Sequence, residues 1–300
     1  MRTSTWRNIG TDVTGSTSIS EVLTTAGLDY KVHTEPMITA SGIIVPNRVA
    51  TVANINGEDR VLGDVSDRYT ICQNSEAFDF IDSISDNIKF EKAGQTASGM
   101  IYVIASLPTM NILGDDLTPY VILQNSHNGR YSLKTSIVPL RLVCQNQMAM
   151  AFRNSNNSIE IIHSSNMMSK LTAAQELLSG VADYMDEFNR NANNLANIKL
   201  SKNPNDIIDQ FFAMSLKGNE TDRVLQKIDE EKQKLIHIYN AEDNQNFKGT
   251  VWGMANAYSD YITHKDVKAT ENAAESKFLT VTFNPMLMNK FVDFVSAKAA

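Results

Sequence analysis

The hydrophobic period changes once along this chain of 300 residues, and that change constrains the fold more than any single motif. From Tyr30 to about Ser165 the pattern is extended. The segments YKVHTEPMI, IIVPNRVATVANI, RVLGDVSDRYTI, KFEKAGQTASGMIYVIASLP and YVILQNSHNGRYSLKTSIVPLRLVCQ are rich in β-branched residues. They are broken by Pro36, Pro46 and Gly63, and by Asn-Gly at 56–57 and again at 128–129. Asn-Gly between two apolar runs favours a hairpin, because both residues tolerate positive φ. After Ser165 the period becomes helical, as in MSKLTAAQELLSGVADYMDEFNRNANNLANIKL and ETDRVLQKIDEEKQKLIHIYNAEDN.

Strands segregated from helices predict an α+β fold. The N-terminal half is dominated by antiparallel β-sheet with one or two helices, and the C-terminal half is mainly α-helical. The expected division is a flexible arm over 1–28 with a short helix near Ser20–Ala26, a β-rich core over 29–165, and a helical domain over 166–300. The helical domain packs on the core or builds an oligomer. Within the β half, Ala77, Phe78, Ile81 and Ile84 stand at helical spacing and predict one helix over 75–87. In the helical half, Asn203-Pro204-Asn205-Asp206 reads as a loop and cap before a further helix, DIIDQFFAMSL.

The composition is globular, with 42% hydrophobic and 20% charged residues. A net charge of −7 argues against coating duplex DNA by bulk charge, since such binding draws on many Lys/Arg–phosphate contacts. No stretch approaches the eighteen or so apolar residues of a membrane span, and MRTSTWRNIGTDVTGSTS lacks the apolar run of a signal peptide. The only two cysteines stand 72 positions apart, matching neither a disulfide framework nor a metal pair. A cytoplasmic protein without cofactor or membrane partner is the expectation.

Both cysteines lie in the tripeptide Cys-Gln-Asn, at 72–74 and 144–146, each after an apolar run. One reading is a strand-to-helix corner used twice, with Cys as a small buried residue and Asn74 and Asn146 as helix caps. The competing reading makes Cys144 a nucleophile with His127 or His163 as its base, giving His127, Cys144 and His163 as weak catalytic candidates.

A second signal is an absence of charge of one sign. Between Asp116 and Glu160 there is no acidic residue, while Arg130, Lys134, Arg141 and Arg153 are basic and amides are frequent. Arginine forks and amide donors suit phosphates and base edges, and Tyr131 could stack on a base. These five residues are the candidate nucleic-acid contacts. The alternative is that they scatter over two sheet faces.

The five histidines show no metal-ligand spacing. Asn256, Asp260 and His264 recur every four residues on one helix face, which reads as a solvated face or as one wall of a cleft. Walker A, GxGxxG, HExxH and GxSxG motifs are missing, and catalysis is not the favoured reading.

The ordered segments LGDVSDRYTICQNSEAFDFID, KFEKAGQTASGMIYVIASLP, NSHNGRYSLKTSIVPLRLVCQN, IEIIHSS and GTVWGMANAYSDYITH resemble the phage/plasmid-like family catalogued as domain of unknown function 932. The resemblance covers most of residues 30–265. It aligns His127 and Gly129 with a Ser-His-Asp-Gly-Ser turn. Arg141, Cys144 and Asn146 align with an Arg-x-Val-Cys-x-Asn-Thr segment, and His163 with an Arg-His-Thr. Asn128, Gln147 and Ile162 stand where that pattern has Asp, Thr and Arg. Loss of the turn carboxylate makes hydrolysis less expected here.

The resemblance implies a phage- or plasmid-type accessory role. The function expected is binding of single-stranded nucleic acid, as a strand-annealing, recombination or replication factor acting as a homo-oligomer. The alternative is a non-enzymatic interaction protein that engages a host defence or replication component.

Overall fold

The computed structural model describes residues 9–83, 88–141, 146–148, 150, 158–161, 163, 180–264 and 273–299. Among these, the chain builds two antiparallel sheets and then a set of helices. The smaller sheet joins β2 (Val32–Ile38), β3 (Ile44–Ile55) and β4 (Glu58–Ser66) in sequence order. Asn56 and Gly57 turn β3 into β4 with φ of 56° and 85°, the mirror-image turn that Asn-Gly favours.

The larger sheet runs in the order β1 (Thr11–Asp12), β5 (Lys89–Gln95), β6 (Met100–Ser106), β8 (Asp115–Ser126), β9 (Leu133–Arg141), β10 (Asn146–Gln147). Two short strands branch from it: β7 (Met110–Ile112) pairs with β8, and β11 (Ser158–Ile161) pairs with β9.

The period of two divides the central strands between two cores. Ile101, Val103, Val121, Leu123 and Leu133 pack with Val22 and Leu23 of α1 (Ile19–Thr25) and with Phe78 of α2 (Asn74–Phe78). The intervening Tyr102, Ile104, Ile122, Val138 and Leu140 pack with Ile9 and with Leu279 of a C-terminal helix. Burial on both faces explains why MIYVIA and YVIL read as continuous apolar runs rather than alternating ones.

The helices that follow are α3 (Val181–Asn197), α4 (Pro204–Ala213), α5 (Asp222–Tyr239), α6 (Val251–His264), α7 (Ala273–Thr282) and α8 (Met286–Ala299). Asn203 caps α4 by accepting from the Asn205 N–H at 2.9 Å, and Pro204 fills the first turn, where no N–H is needed. α6 is the central element, buried from Val251 to Thr263. Its core is continuous with Ile112, Leu117, Ile137, Met148 and Met150, so the helical half packs on the sheet. Of the two readings of Asn256 and Asp260, the solvated face does not hold: both are buried on α6, which packs against α3, α5, α8 and β10. Among the described residues no helix is long and apolar enough to cross a membrane.

Three sequence expectations need correction. Residues 9–28 are not a loose arm: β1 pairs with β5, and Ile19, Val22 and Leu23 of α1 are buried. The Asp82 carboxylate reaches the Ile19 N–H at 2.9 Å and ties the start of α1 to the body. The helix expected over 75–87 is a single α-turn, α2, continued as a 3-10 turn over Asp79–Ser83, with 84–87 outside the described residues. Asn146 does not start a helix. It opens β10, paired with Arg141, because the chain turns back onto β9 instead of leaving the sheet.

Gly253 gives a test of the α6 packing. A Cβ there would lie 2.3 Å from the Phe247 carbonyl oxygen. Alanine normally stabilises a helix interior by about 1 kcal/mol over glycine. Gly253→Ala is expected to do the opposite and lower unfolding free energy by about 2 kcal/mol through overpacking, measured by urea denaturation.

Candidate functional site

The first Cys-Gln-Asn copy is the root of a buried polar centre. Strand alternation puts Asn125 on the same face of β8 as Val121 and Leu123, beneath α2. Each residue of the tripeptide has a separate task there. The Gln73 side chain acts as an extra strand residue: its Nε2 donates to the Val32 carbonyl at 2.8 Å, and its Oε1 accepts from the Val32 N–H at 3.0 Å. Gln73 is also the residue that precedes α2, and Glu76 accepts from its backbone N–H at 3.0 Å. Asn74, expected as the cap, is instead the first residue of α2 with its side chain turned inward.

Asn74 Nδ2 donates to the Leu28 carbonyl at 2.8 Å. Its Oδ1 accepts from Asn125 Nδ2 and from His127 Nε2, both at 3.0 Å. Asn125 Nδ2 also donates to the Cys72 carbonyl at 3.1 Å. These bonds fix every amide orientation and place the single imidazole proton of His127 on Nε2. His127 Nδ1 and Asn125 Oδ1 are then buried acceptors with no hydrogen-bond partner among the described residues.

His163 joins the same centre. Its ring stacks on Tyr69 at 4.9 Å and 23°, and the Tyr69 hydroxyl donates to the Ser126 carbonyl at 2.9 Å, one residue before His127. Tyr30 meets the His127 ring edge-on at 6.2 Å. Burial pulls His127 down to about 4, and the charge of His163 acts in the same direction. Burial likewise lowers His163, against a raising contribution from the Thr70 backbone. Both rings are neutral at pH 7. Burial pushes the Cys72 thiol up to about 12, with Glu76 adding to the effect, so Cys72 is no nucleophile at neutral pH.

The turn that carries His127 also joins the two sheets. Its carbonyl accepts from Thr51 Oγ1 of β3 at 2.6 Å. A Cβ on Gly63 of β4 would lie 2.5 Å from Asn128 Cα, and one on Gly99 would lie 2.4 Å from Asn128 Nδ2. Asn128 Nδ2 donates to the Ser98 carbonyl at 2.7 Å, and its Oδ1 accepts from the Arg130 N–H at 3.0 Å. Asn128, where the resembled family has Asp, therefore uses its amide as a structural donor that a carboxylate lacks.

Of the catalytic candidates, His127 and His163 come together, while Cys144 lies outside the described residues. The described basic-window candidates differ in their settings. Arg130 is exposed in the turn, and Tyr131 is half-buried with its hydroxyl on Ser98 Oγ at 2.9 Å. Lys134 donates to the Phe283 carbonyl at 3.3 Å and lies 5.3 Å above that ring, under the end of α7.

The backbone of Arg141 ends β9, seven residues and about 24 Å further along the strand. The side chain of Arg141 and all of Arg153 lie outside the described residues. Glu160 stands in register with Lys134, so the carboxylate that ends the window borders it in space. Among the described residues no group of three or more His, Cys, Asp and Glu could hold a metal ion.

Sequence reasoning missed Asn125, Tyr30 and Tyr69 as members of this centre. Glycines at 63, 99 and 129 were the available signal, since all three lie where backbone or side chains crowd the turn.

A model of the family described as domain of unknown function (DUF932) matches residues 61–280, which hold the turn, both histidines and α6. No curated protein and no solved structure matches the chain.

Asn74→Ala removes three hydrogen bonds and leaves the Leu28 carbonyl, the Asn125 amide and His127 Nε2–H buried without this partner. An unfolding free energy lower by about 3 kcal/mol or more is expected from denaturant titration.

Proposed function

The chain belongs to the DUF932 family, and from that premise we propose that it is a non-enzymatic interaction protein whose smaller sheet docks a partner protein. One observation carries this reading: Ile38, Ile43, Ile44 and Val61 are 61%, 65%, 64% and 71% exposed on a sheet anchored near its middle. β2 and β3 each contain runs of consecutive exposed residues, so both faces of that part are open. Ile38 and Ile44 are register partners and form one apolar pair.

The stretch from Pro36 to Asn47 carries no charge in a chain of net charge −7. Exposed apolar clusters rimmed by polar residues favour protein interaction sites. Pro36 in the edge strand lacks an N–H, which disfavours simple strand addition there and leaves the faces for docking.

The centre beneath α2 supports a binding rather than a catalytic role. His127, Asn74, Asn125 and Cys72 are buried, and the imidazole proton is used within the network. A host replication or defence component in the cytoplasm fits this reading, as does a phage- or plasmid-type setting.

A second reading is binding of single-stranded nucleic acid by an oligomer that anneals complementary strands. The exposed Arg130, at the start of the carboxylate-free window, favours it. Fewer contacts are free for it than the sequence suggested, because Tyr131 and Lys134 are engaged inside the fold.

Nuclease-treated affinity purification with the full chain and with Ile43→Glu/Ile44→Glu separates the two. The first reading expects a protein partner that the wild type retains and the variant loses. Identical capture by both, or nucleic acid alone, contradicts it. The second expects anisotropy changes with short single strands that weaken steeply with salt and with Arg130→Ala.

A further inference from the structure

We propose that the turn between β8 and β9 is an acid-released latch: a proton from solvent, taken up by the His127–His163 pair, frees the smaller sheet while the larger sheet and the helical half stay folded. Attachments of the smaller sheet converge on this turn. Thr51 Oγ1 donates to the His127 carbonyl, Gly63 abuts Asn128, and Gly129 meets Val65, where a Cβ would come within 3.2 Å of Cγ1. The segment leaving β4 is held by the Tyr69 hydroxyl on the Ser126 carbonyl, and Tyr69 is the ring on which His163 stacks. Elsewhere the start of β2 is tied by the Gln73 amide on Val32, and the residues just before it by Lys31 on Ser75 and Tyr30 on Gln95.

The bare lone pair on His127 Nδ1 is where the proton adds. No carboxylate faces that ring in the described structure. Tyr30, Tyr69, Asn74 and Thr51 meet the two histidines, with Asn125 on the same Asn74 oxygen and the protonated Cys72 thiol acting on Tyr69. Glu76 acts on Cys72, and Arg130 and Asp64 interact at the surface. Imidazolium formed here therefore lacks a compensating anion, and a second one beside it repels the first.

The folded state holds His127 at about 4, below the 6.5 of an unperturbed imidazole, through burial first and His163 second. Because the folded value is depressed and the neutral form is the bound one, this stabilisation is complete above about 6.5 and is lost as pH falls towards 4. Residues 181–264 contain no buried histidine, so this segment lacks the group on which the latch turns.

Hydrogen exchange of the full chain at about pH 7 and about pH 4.5, corrected for intrinsic rates, reads this directly. Amides in 32–66 are expected to exchange at least about ten-fold faster at the acid pH, with those in 181–264 retaining their protection. Unchanged protection of 32–66, or loss of protection in all segments together, overturns the latch. In His127→Gln/His163→Gln, whose amides can still donate but cannot titrate, the acid-specific release is expected to vanish, and its persistence overturns the proposal. The wild-type comparison of segments decides by itself if that variant does not fold.

Discussion

The packing of three glycines around one turn sets the rest of the arrangement. Between β8 and β9 the backbone at Asn128 comes so close to Gly63, and its side chain so close to Gly99, that any Cβ at either position would overlap it. That contact brings the smaller sheet, the β5–β6 turn and the end of β8 to one point. It also fixes the direction in which His127 enters the core, because the Asn128 amide is held by Ser98 and the His127 carbonyl by Thr51. With the ring committed inward, a buried polar partner is required, and Asn74 supplies it.

This explains why a polar network lies under α2, in an otherwise apolar core of Val121, Leu123, Phe78 and Ile81. Buried amides and imidazoles destabilise unless they are paired, and Asn74, Asn125 and His127 each donate to a partner here. The geometry they specify is narrow. Gln73 holds the start of β2, Asn74 holds the end of the α1 segment through Leu28, and Asn125 holds Cys72. Three parts of the chain, distant in sequence, are thus located relative to β8 by side-chain amides from two short stretches.

Much of the fold was legible in the sequence. The passage from an antiparallel β half to a helical half, the Asn56-Gly57 turn and the cap ahead of α4 follow local rules that tertiary contacts did not override. The site was less legible. Asn74 and Asn146 look alike in sequence, yet Asn74 is the first residue of a helix with its side chain turned inward and Asn146 opens a strand, a difference set by what the following residues pack against. The carboxylate-free window is continuous in the sequence, but sequence order does not tell which of its groups the fold engages: Lys134 is held by the Phe283 carbonyl, while Arg130 is exposed. The approach of Gly63 to Asn128 spans two sheets, and no local pattern encodes it.

If the turn is the common anchor of both sheets and of α2, perturbations on its two sides must be coupled. A double-mutant cycle on unfolding free energy, pairing Gly63→Ala on the small-sheet side with Asn74→Ala on the α2 side, measures this. The account predicts that the two losses fail to add by about 1 kcal/mol, because either change alone displaces His127 and Asn128. Losses that add to within about 0.3 kcal/mol would show two independent contacts and contradict it.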